Sequence, residues 1–363
     1  MPRERDTDAA AAALPRRAAH LDELSDDLVL RLLSRAPFTT HGTLHVVSRR
    51  LRTLLRSPAF RRHRVESRLA EYGLVVAGGH RGDITAECWR LSSGRWRQIA
   101  PLSGPRRDAC SAIVENEEDG QPEMWVMGGW DGLNRLATVE AYNPRTNRWR
   151  WCLPLKQRRY GAVAGVVGGH LVVAGGFDRG ALTLRLTSVE AFTPTGWISL
   201  PPLPHAADRA TACELNGQLY VMGGVLCNKL QVLEVSEGAE FSWSVKADLP
   251  AARYHGASVV YEGKLWLIGG LLPDGNATAS VIIYDTASDS WARGPTLPDA
   301  AIAEPGVRAS YLPRLRAMLV NGEIYLICCN RWRCLYVFRN NNWEELAGGP
   351  RITAPACEFV LLG

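Results

Sequence analysis

A short apolar run that ends in a glycine pair recurs through most of this chain. LVVAGG occurs twice, ending at Gly79 and at Gly176, and related runs end at Gly129, Gly224 and Gly270. The pairs begin at positions 78, 128, 175, 223 and 269, so each follows the previous one by 46 to 50 residues. Repeats of this length are single supersecondary units that bury a continuous core only when several pack side by side. The period therefore constrains the fold more than any other feature.

A tryptophan follows every glycine pair and keeps the same period. The tryptophans are Trp96, Trp149, Trp197, Trp243, Trp291 and Trp343. The last one belongs to a sixth unit, in which the run IYLICC places Cys328 and Cys329 where the glycines would stand. Between the markers, short apolar runs end on Asn, Asp, Ser or Pro, which is typical of strands in hairpins. Six such units predict a mainly β fold, a six-bladed β-propeller over residues 74–363.

The same pattern predicts how the blades meet. Glycine at the end of an inner strand permits positive φ and a close approach of the next blade. A tryptophan at one position of every blade is expected to fill the gap between blades, although stacking on a ligand is an alternative. Before the first glycine run stands only RLAEYG, whereas the chain ends APACEFVLLG. We therefore expect the C-terminal run to supply the inner strand of blade 1 and to close the ring.

The first 70 residues differ from the rest in charge and in periodicity. They hold 14 Lys plus Arg against 8 Asp plus Glu, while the remainder is nearly neutral. Leucines at helical spacing predict three helices over residues 18–66, the first of them capped by Ser25. Residues 1–17 are expected to form a disordered tail and residues 67–73 a linker. A helical unit this small has a marginal core, which implies a partner.

Two stretches of the sequence resemble known families. LSDDLVLRLLSRAPF followed by VVSRRLRTLLRSPAFRRHR resembles the F-box, and the glycine pair, aromatic and tryptophan resemble the kelch repeat. The resemblance implies a substrate-recognition subunit of an SKP–cullin–F-box E3 ubiquitin ligase. In such a subunit the head docks on the SKP-family adaptor, and through it on cullin, and the propeller binds a target protein. The adaptor-binding residues it implies are Leu24, Ser25, Asp26, Leu28, Leu32, Leu33, Val47 and Leu51.

The head departs from the F-box pattern at two positions. Ser25 stands where the family has proline, and Leu51 stands where it has tryptophan. Both substitutions keep a capping or apolar character. They leave a second hypothesis open, a non-catalytic kelch scaffold whose degenerate F-box no longer binds the adaptor.

An arginine precedes most of the predicted inner strands. Propeller symmetry would bring these arginines to one mouth of the channel, where a ring of positive charge would hold an acidic or phosphorylated segment of the target. In the alternative interpretation, each arginine pairs with a carboxylate of the neighbouring blade. The expected target-binding residues are Arg107, Arg159, Tyr160, Arg209, Arg253, Tyr254, His255 and Arg351.

Other function classes find little support in the sequence. The nine cysteines form no CxxC pair, and HExxH, GxSxG and P-loop motifs are lacking, so we expect no metal, no cofactor and no enzyme activity. An enzyme on a propeller scaffold is the third hypothesis. The arginines between residues 49 and 68 lack interleaved aromatics, which favours a solvated helix face over nucleic-acid binding. We expect a protein of the cytoplasm, the nucleus or both that binds no membrane.

Overall fold

The computed structural model describes most of the chain in two compact units. The units are residues Met1–Leu69 and Ala70–Gly363. The expected tail and Arg351 lie outside the described residues. None of the described helices is both long and apolar enough to cross a membrane. The described residues are 24–36, 44, 46–67, 72–81, 83–92, 95–116, 121–179, 185–236, 240–301, 314–329, 334–346 and 356–361.

In the first unit, the helices whose bounds are described are α1 (Asp26–Ser34), α2 (Arg49–Arg56) and α3 (Pro58–Glu66). The Ser25 side chain accepts a hydrogen bond from the Leu28 amide at the start of α1, so it is the N-cap that the sequence predicts. Ser48 caps α2 in the same way. We call this unit the head. Its buried core consists of Val29, Leu33, Leu51, Leu54, Leu55 and Phe60.

The second unit is a six-bladed propeller of four-stranded antiparallel sheets, as the period predicts. The strands are β1 (Tyr72–Arg81), β2 (Asp83–Ser92), β3 (Arg95–Ile99), β4 (Cys110–Glu115), β5 (Pro122–Met127), β6 (Val139–Asn143), β7 (Arg148–Cys152), β8 (Val163–Val167), β9 (His170–Ala174), β10 (Val189–Thr193), β11 (Gly196–Leu200), β12 (Thr211–Leu215), β13 (Gln218–Met222), β14 (Leu230–Val235), β15 (Phe241–Lys246), β16 (Ala257–Tyr261), β17 (Lys264–Ile268), β18 (Val281–Asp285), β19 (Ser290–Arg293), β20 (Arg314–Val320), β21 (Glu323–Cys329), β22 (Cys334–Arg339), β23 (Asn342–Leu346) and β24 (Ala356–Leu361). A short 3-10 helix spans Asp299–Ala301.

Blade 1 takes its innermost strand from the end of the chain. Strand β24 pairs antiparallel with β1, with Leu74 opposite Phe359, and the sheet order is β24-β1-β2-β3. Blades 2 to 6 follow as β4–β7, β8–β11, β12–β15, β16–β19 and β20–β23. The six innermost strands contact one another in sequence around the full circle, which leaves a channel on the axis.

The glycine pairs lie where neighbouring blades approach most closely. Gly175 has a φ of +65°, and a Cβ on it would lie 2.4 Å from the carbonyl oxygen of Ala207 in the next blade. The amide of Gly176 donates to that same carbonyl at 2.7 Å. The first glycine thus makes room for the neighbouring backbone and the second binds it. In blade 6, β21 continues through Cys328, which pairs with Leu315 and Cys334 as ordinary strand residues do.

The repeated tryptophans join adjacent blades. In five blades the indole N–H donates to a backbone carbonyl of the preceding blade, at 2.8 to 3.3 Å. The aromatic residue of the middle strand packs against the tryptophan, as Tyr142 does against Trp149 with ring centroids 5.1 Å apart. These contacts support the packing interpretation of the tryptophans. The five acceptors are the carbonyls of Ala100, Leu153, Pro201, Ala247 and Pro295.

Candidate functional site at the channel mouth

The innermost strands enclose a channel of about 480 Å³. Hydroxyl and thiol groups line part of it, among them Ser111, Thr211, Cys213 and Ser258. The hydroxyls of Thr211 and Ser258 bridge blades 4 and 5 at 2.7 Å. Burial raises the pKa of the Cys213 thiol to about 12, so this cysteine is protonated and unreactive at neutral pH.

A belt of backbone hydrogen bonds encircles most of the mouth where the inner strands begin. Asp108, Gly161, Arg209 and His255 all have φ between 56° and 65°. The carbonyl of Asp108 accepts from the amide of Gly161, that of Gly161 from the amide of Arg209, and that of Arg209 from the amide of His255, at 2.8 to 2.9 Å. The amide of Leu315 in blade 6 donates to the carbonyl of His255 at 3.1 Å. Left-handed backbone is costly for a residue with a side chain, so the belt holds three such residues in a conformation that they would otherwise avoid.

Two guanidinium groups stack on aromatic rings inside the mouth. Arg107 lies over the indole of Trp130, 4.5 Å from the ring centroid. Arg209 lies 5.3 Å from the ring of Tyr160, donates to its hydroxyl at 3.2 Å and pairs with Asp208 at 2.8 Å. Burial lowers the pKa of Arg107, and the charge of Arg209 lowers it further. Arg107 in turn lies 3.9 Å from the buried Asp108 carboxylate. The mouth therefore presents two planar guanidinium groups, each beside a buried carboxylate, whose remaining donors can bind an anion.

On the blade 5 side, the mouth carries a neutral imidazole beside an aromatic ring. The rings of Tyr254 and His255 lie 5.3 Å apart. Burial holds the pKa of His255 well below its ordinary value, and the charges of Arg209 and Arg316 reinforce the effect. Below its pKa the imidazole would add a third positive charge, so at neutral pH His255 offers a polar ring without adding to the repulsion.

Two of the expected target contacts, Arg159 and Arg253, are buried between blades, and their assignment to the surface is wrong. Arg159 is 0% exposed and donates to the Glu190 carboxylate at 2.6 Å and to the carbonyls of Gly175 and Ser188. Arg253 is 5% exposed and donates to carbonyl oxygens of its own blade. Neither guanidinium can reach a target. Both are buried, as in the alternative interpretation, but Arg159 binds the carboxylate of Glu190 in the blade that it leads into and not a carboxylate of a neighbouring blade.

The error comes from the register of the repeat. In four of the pairs, the amide of the second glycine donates to the carbonyl of an equivalent residue at the start of the next blade, namely Arg106, Arg159, Ala207 and Arg253. The residue of blade 2 that is equivalent to Arg159 is therefore Arg106, which directly precedes Arg107 in the sequence. Arg106 is buried and paired with Glu140 at 2.5 Å, and the sequence analysis missed it. The signal was the repeated VEA of β6 and β10, whose glutamates bind these two arginines.

Comparison with known proteins agrees with this architecture. The kelch motif family matches residues 121–150, 158–204 and 252–298, which fall in blades 2, 3 and 5. Three of the six blades therefore carry the kelch motif. YjhT, a solved structure, shares the fold with a TM-score of 0.57 at 16% identity, covering 75% of this chain and 97% of that one.

Curated relatives also carry kelch names. Kelch-like protein 35 of Mus musculus is 27% identical over 298 residues, covering 79% of this chain and 49% of the relative. Kelch-like protein 23 of Homo sapiens is 26% identical over 253 residues, with 67% and 43% covered. Beta-scruin of Limulus polyphemus is 28% identical over 198 residues, with 50% and 21% covered. The chain thus spans half or less of the length of these relatives.

In the head, the expected adaptor residues divide between surface and core. Leu28, Leu32 and Val47 are 48%, 55% and 65% exposed, whereas Leu33 and Leu51 are buried in the head's own core. The assignment of Leu33 and Leu51 to the adaptor surface is therefore wrong. Val46, which the sequence analysis did not name, is also exposed beside Val47.

The polar end of the expected adaptor surface is held by one arginine. Arg50 of α2 donates to the carboxylate of Asp26 at 2.7 and 2.9 Å and to the carbonyl of Leu24 at 2.5 Å. Ser25, between them, caps α1. The hydrogen bonds from Arg50 to Leu24 and Asp26 therefore fix the start of α1 relative to α2. They also position Leu28, one turn further along α1.

Proposed function

We propose that the kelch propeller binds a target protein at the channel mouth. The observation that carries the proposal is the pair of stacked guanidinium groups, Arg107 over Trp130 and Arg209 over Tyr160. Arginine and aromatic side chains dominate the binding energy of protein interfaces, and a stacked guanidinium loses little entropy when it binds an anion. An acidic or phosphorylated segment of the target complements this charge.

Apolar contacts complete the proposed surface. Leu133 and Leu226 are strongly exposed in the loops that follow the glycine pairs of blades 2 and 4. These loops open on the same face as the mouth, because they connect at the ends where the inner strands begin. Exposed leucines around a desolvated cationic centre match the mixed composition of protein-binding sites.

We propose further that the head docks on an SKP-family adaptor and through it on cullin. This would make the protein the substrate-recognition subunit of an E3 ubiquitin ligase in the cytoplasm or nucleus. The exposed leucines of α1 and the valines before α2 support the proposal, since apolar side chains on so small a unit gain free energy when a partner covers them. Catalysis would then belong to the partners, and this chain would position the target.

The decisive experiment is affinity capture with mass spectrometry from cells expressing the full chain and two double variants. Leu28→Asp with Val47→Asp places charge in the proposed apolar interface and should abolish capture of adaptor and cullin while leaving target capture intact. Arg107→Ala with Arg209→Ala should weaken target binding at least about tenfold and leave adaptor capture intact.

A matched control removes two arginines elsewhere. Arg95 and Arg97 lie exposed on β3, the outermost strand of blade 1, so replacing both by alanine changes the net charge equally. Target binding should survive in this control. Full adaptor capture by the head variant would contradict the docking proposal, and the absence of adaptor and cullin from the wild-type capture would favour the scaffold hypothesis.

A further inference from the structure

Three arginines share one face of blade 1, in the hairpin of β2 and β3. Arg90 lies directly opposite Arg97, and Arg95 lies two residues before Arg97, opposite Ser92. Opposite residues of an antiparallel pair have Cβ atoms about 5 Å apart, and alternate residues of a strand lie about 7 Å apart. All four side chains therefore project from the same face of the sheet. We call these four residues the arginine block.

The block faces blade 2 and is open to solvent. Arg95 and Arg97 are exposed and Arg90 is half-buried. The Nη1 group of Arg90 donates to the carbonyl of Pro144, in the turn between β6 and β7, at 3.4 Å. Strand β2 runs in the same direction as β24, away from the mouth, so the hairpin lies at the opposite face of the propeller. The block is therefore separate from the proposed target site.

The positive charge of the block is not neutralised within the described part of the chain. None of its three guanidinium groups forms an ion pair with a carboxylate there. Two other arginines of the outer blade halves do have such partners, since Arg150 pairs with Glu123 and Arg339 with Glu344. The block thus places three cations close together, and their combined field attracts an anion.

The repeat does not require an arginine at position 90. Arg97 directly follows the outer-strand tryptophan of blade 1, and Arg90 faces it from the neighbouring strand. In the other five blades, the residue that faces this position is aliphatic. These residues are Ala141, Ala191, Val232, Ile283 and Val337.

Arg90 also lowers the stability of its own hairpin. Like charges directly opposite each other on antiparallel strands are destabilising. The Nε group of Arg90 is buried and has no acceptor in the part of the chain that the structure describes, which costs further free energy. Departures from the rules of folding concentrate at functional sites, so a costly arginine at an otherwise aliphatic position indicates a role in binding.

The block fits a phosphate group better than a carboxylate. A phosphate monoester has a charge of about −2 at neutral pH and three terminal oxygens that accept strong hydrogen bonds. Each guanidinium can therefore bind an oxygen of its own, whereas a carboxylate offers only two oxygens to three cations. The hydroxyl of Ser92, beside Arg90 and Arg95, adds a further donor.

The small extent of the block favours a protein as the source of the phosphate. Nucleic acids and anionic membranes are bound by longer tracks or wider patches of cations. The block does not continue around the ring, because at the position of Arg97 blade 2 has the paired Arg150 and the later blades have no arginine. Those later residues are Ile198, Ser244, Ala292 and Glu344.

We propose that the arginine block binds a phosphorylated side chain of a partner polypeptide. This partner would lie on the face opposite the mouth, so the propeller would hold it together with the target. The variant Arg95→Ala with Arg97→Ala, which keeps the mouth intact, should therefore lose this partner while it retains the target.

The first test is a phosphorus NMR titration of the full chain with N-acetyl-O-phosphoserinamide. The variant Arg90→Val with Arg97→Ser reproduces the pair Val232 and Ser244 of blade 4. It should weaken binding at the block at least about tenfold, so that one molecule fewer is bound per chain whatever the mouth binds. Its melting temperature should equal or exceed that of the wild type, because the like-charge pair is removed. Unchanged binding, or a clearly lower melting temperature, would overturn the proposal.

Two control variants separate the block from other arginines. Arg148→Ser with Arg293→Val removes two exposed arginines from the outer strands of blades 2 and 5 and should leave probe binding unchanged. Arg107→Ala with Arg209→Ala should retain the molecule that the block binds. If either control still unfolds cooperatively but loses that molecule, the assignment to the block is wrong.

Peptide arrays test whether a polypeptide carries the phosphate. Random peptides with a fixed phosphoserine, phosphothreonine or phosphotyrosine should include sequences that bind the wild type more tightly than inorganic phosphate does. These sequences should lose binding after phosphatase treatment, and also when the chain carries Arg90→Val with Arg97→Ser. Equal binding of inorganic phosphate would overturn the assignment to a polypeptide. So would tighter binding, dependent on Arg90, of oligothymidylate or of phosphatidylcholine vesicles that contain phosphatidylinositol phosphate.

Discussion

At the scale of single residues, buried ion pairs lie beside the contacts between blades, and blade 4 has uncharged residues at the same positions. Arg159 pairs with Glu190, whereas the equivalent residues of blade 4 are Ala207 and Gln231. The Gln231 amide still accepts from the His205 amide and donates to its carbonyl. A buried ion pair gives little net stability, yet the loss of one partner is costly because the other charge remains desolvated.

This contrast predicts the behaviour of a double variant. Arg159→Ala alone should destabilise the propeller by about 3–5 kcal/mol, since Glu190 stays buried without its cation. Adding Glu190→Gln should recover part of the loss, because the seam then matches that of blade 4. Urea unfolding of the single and double variants measures the difference. Equal losses in both would show that the charge on Glu190 is not the cause.

His255 predicts a pH dependence of stability. Its pKa in the folded protein lies well below the ordinary value of 6.5, mainly through burial. The unfolded chain therefore binds a proton that the folded protein excludes once the pH falls below about 6.5, and stability decreases from there towards the folded-state pKa. Melting temperatures should fall between about pH 7.5 and pH 5.5. His255→Gln should flatten this decrease, and an unchanged pH profile in that variant would refute the assignment.

At the scale of the strand and its turn, the glycine pairs can be tested against glycines that only turn the chain. Gly175→Ala combines a φ of +65° with a clash against the Ala207 carbonyl, whereas a Cβ at Gly217, with a φ of +75°, meets nothing within 4 Å. Gly217→Ala should lower the free energy of unfolding by about 1–2 kcal/mol, which is the cost of left-handed backbone for a residue with a side chain. Gly175→Ala should lower the free energy of unfolding by clearly more, as measured by chemical denaturation. Similar losses would mean that the next blade can move aside.

The elements themselves were the predictable part of the fold. The period of glycine pair and tryptophan predicts six blades because these markers occupy contacts between neighbouring blades, the tryptophan bond in five of the blades. It was harder to predict which residue of a loop lies between two blades. Arg106 and Arg107 are adjacent, and only the hydrogen bond from the Gly79 amide to the Arg106 carbonyl shows that Arg106 is the buried one. In α1 the leucines predict a helix, but periodicity alone does not show that Leu33 faces inward while Leu32 faces outward.

At the scale of the whole molecule, the propeller presents two different faces. The mouth carries two guanidinium groups stacked on aromatic rings, and a cleft between blades 2 and 3 on the opposite face is lined by aromatic side chains. Both depend on the fixed angle between neighbouring blades, since the belt joins blades 2 to 6 and the cleft is formed by two of them. Any change that loosens the ring is therefore expected to affect both faces together.

The closure of that ring provides the last prediction. Strand β24 pairs with β1 from Tyr72 to Ala77 and also contacts β4 and β20, so it holds blade 1 to both of its neighbours. Deleting residues 356–363 would leave the backbone groups of β1 unpaired along one edge, which favours aggregation. We expect the truncated chain to aggregate or to melt at a markedly lower temperature, whereas removing residues 1–17 from the other end should change neither property. Calorimetry and size-exclusion chromatography of the two deletions decide the matter. A soluble C-terminal deletion that melts with the wild type would show that the ring does not depend on its last strand.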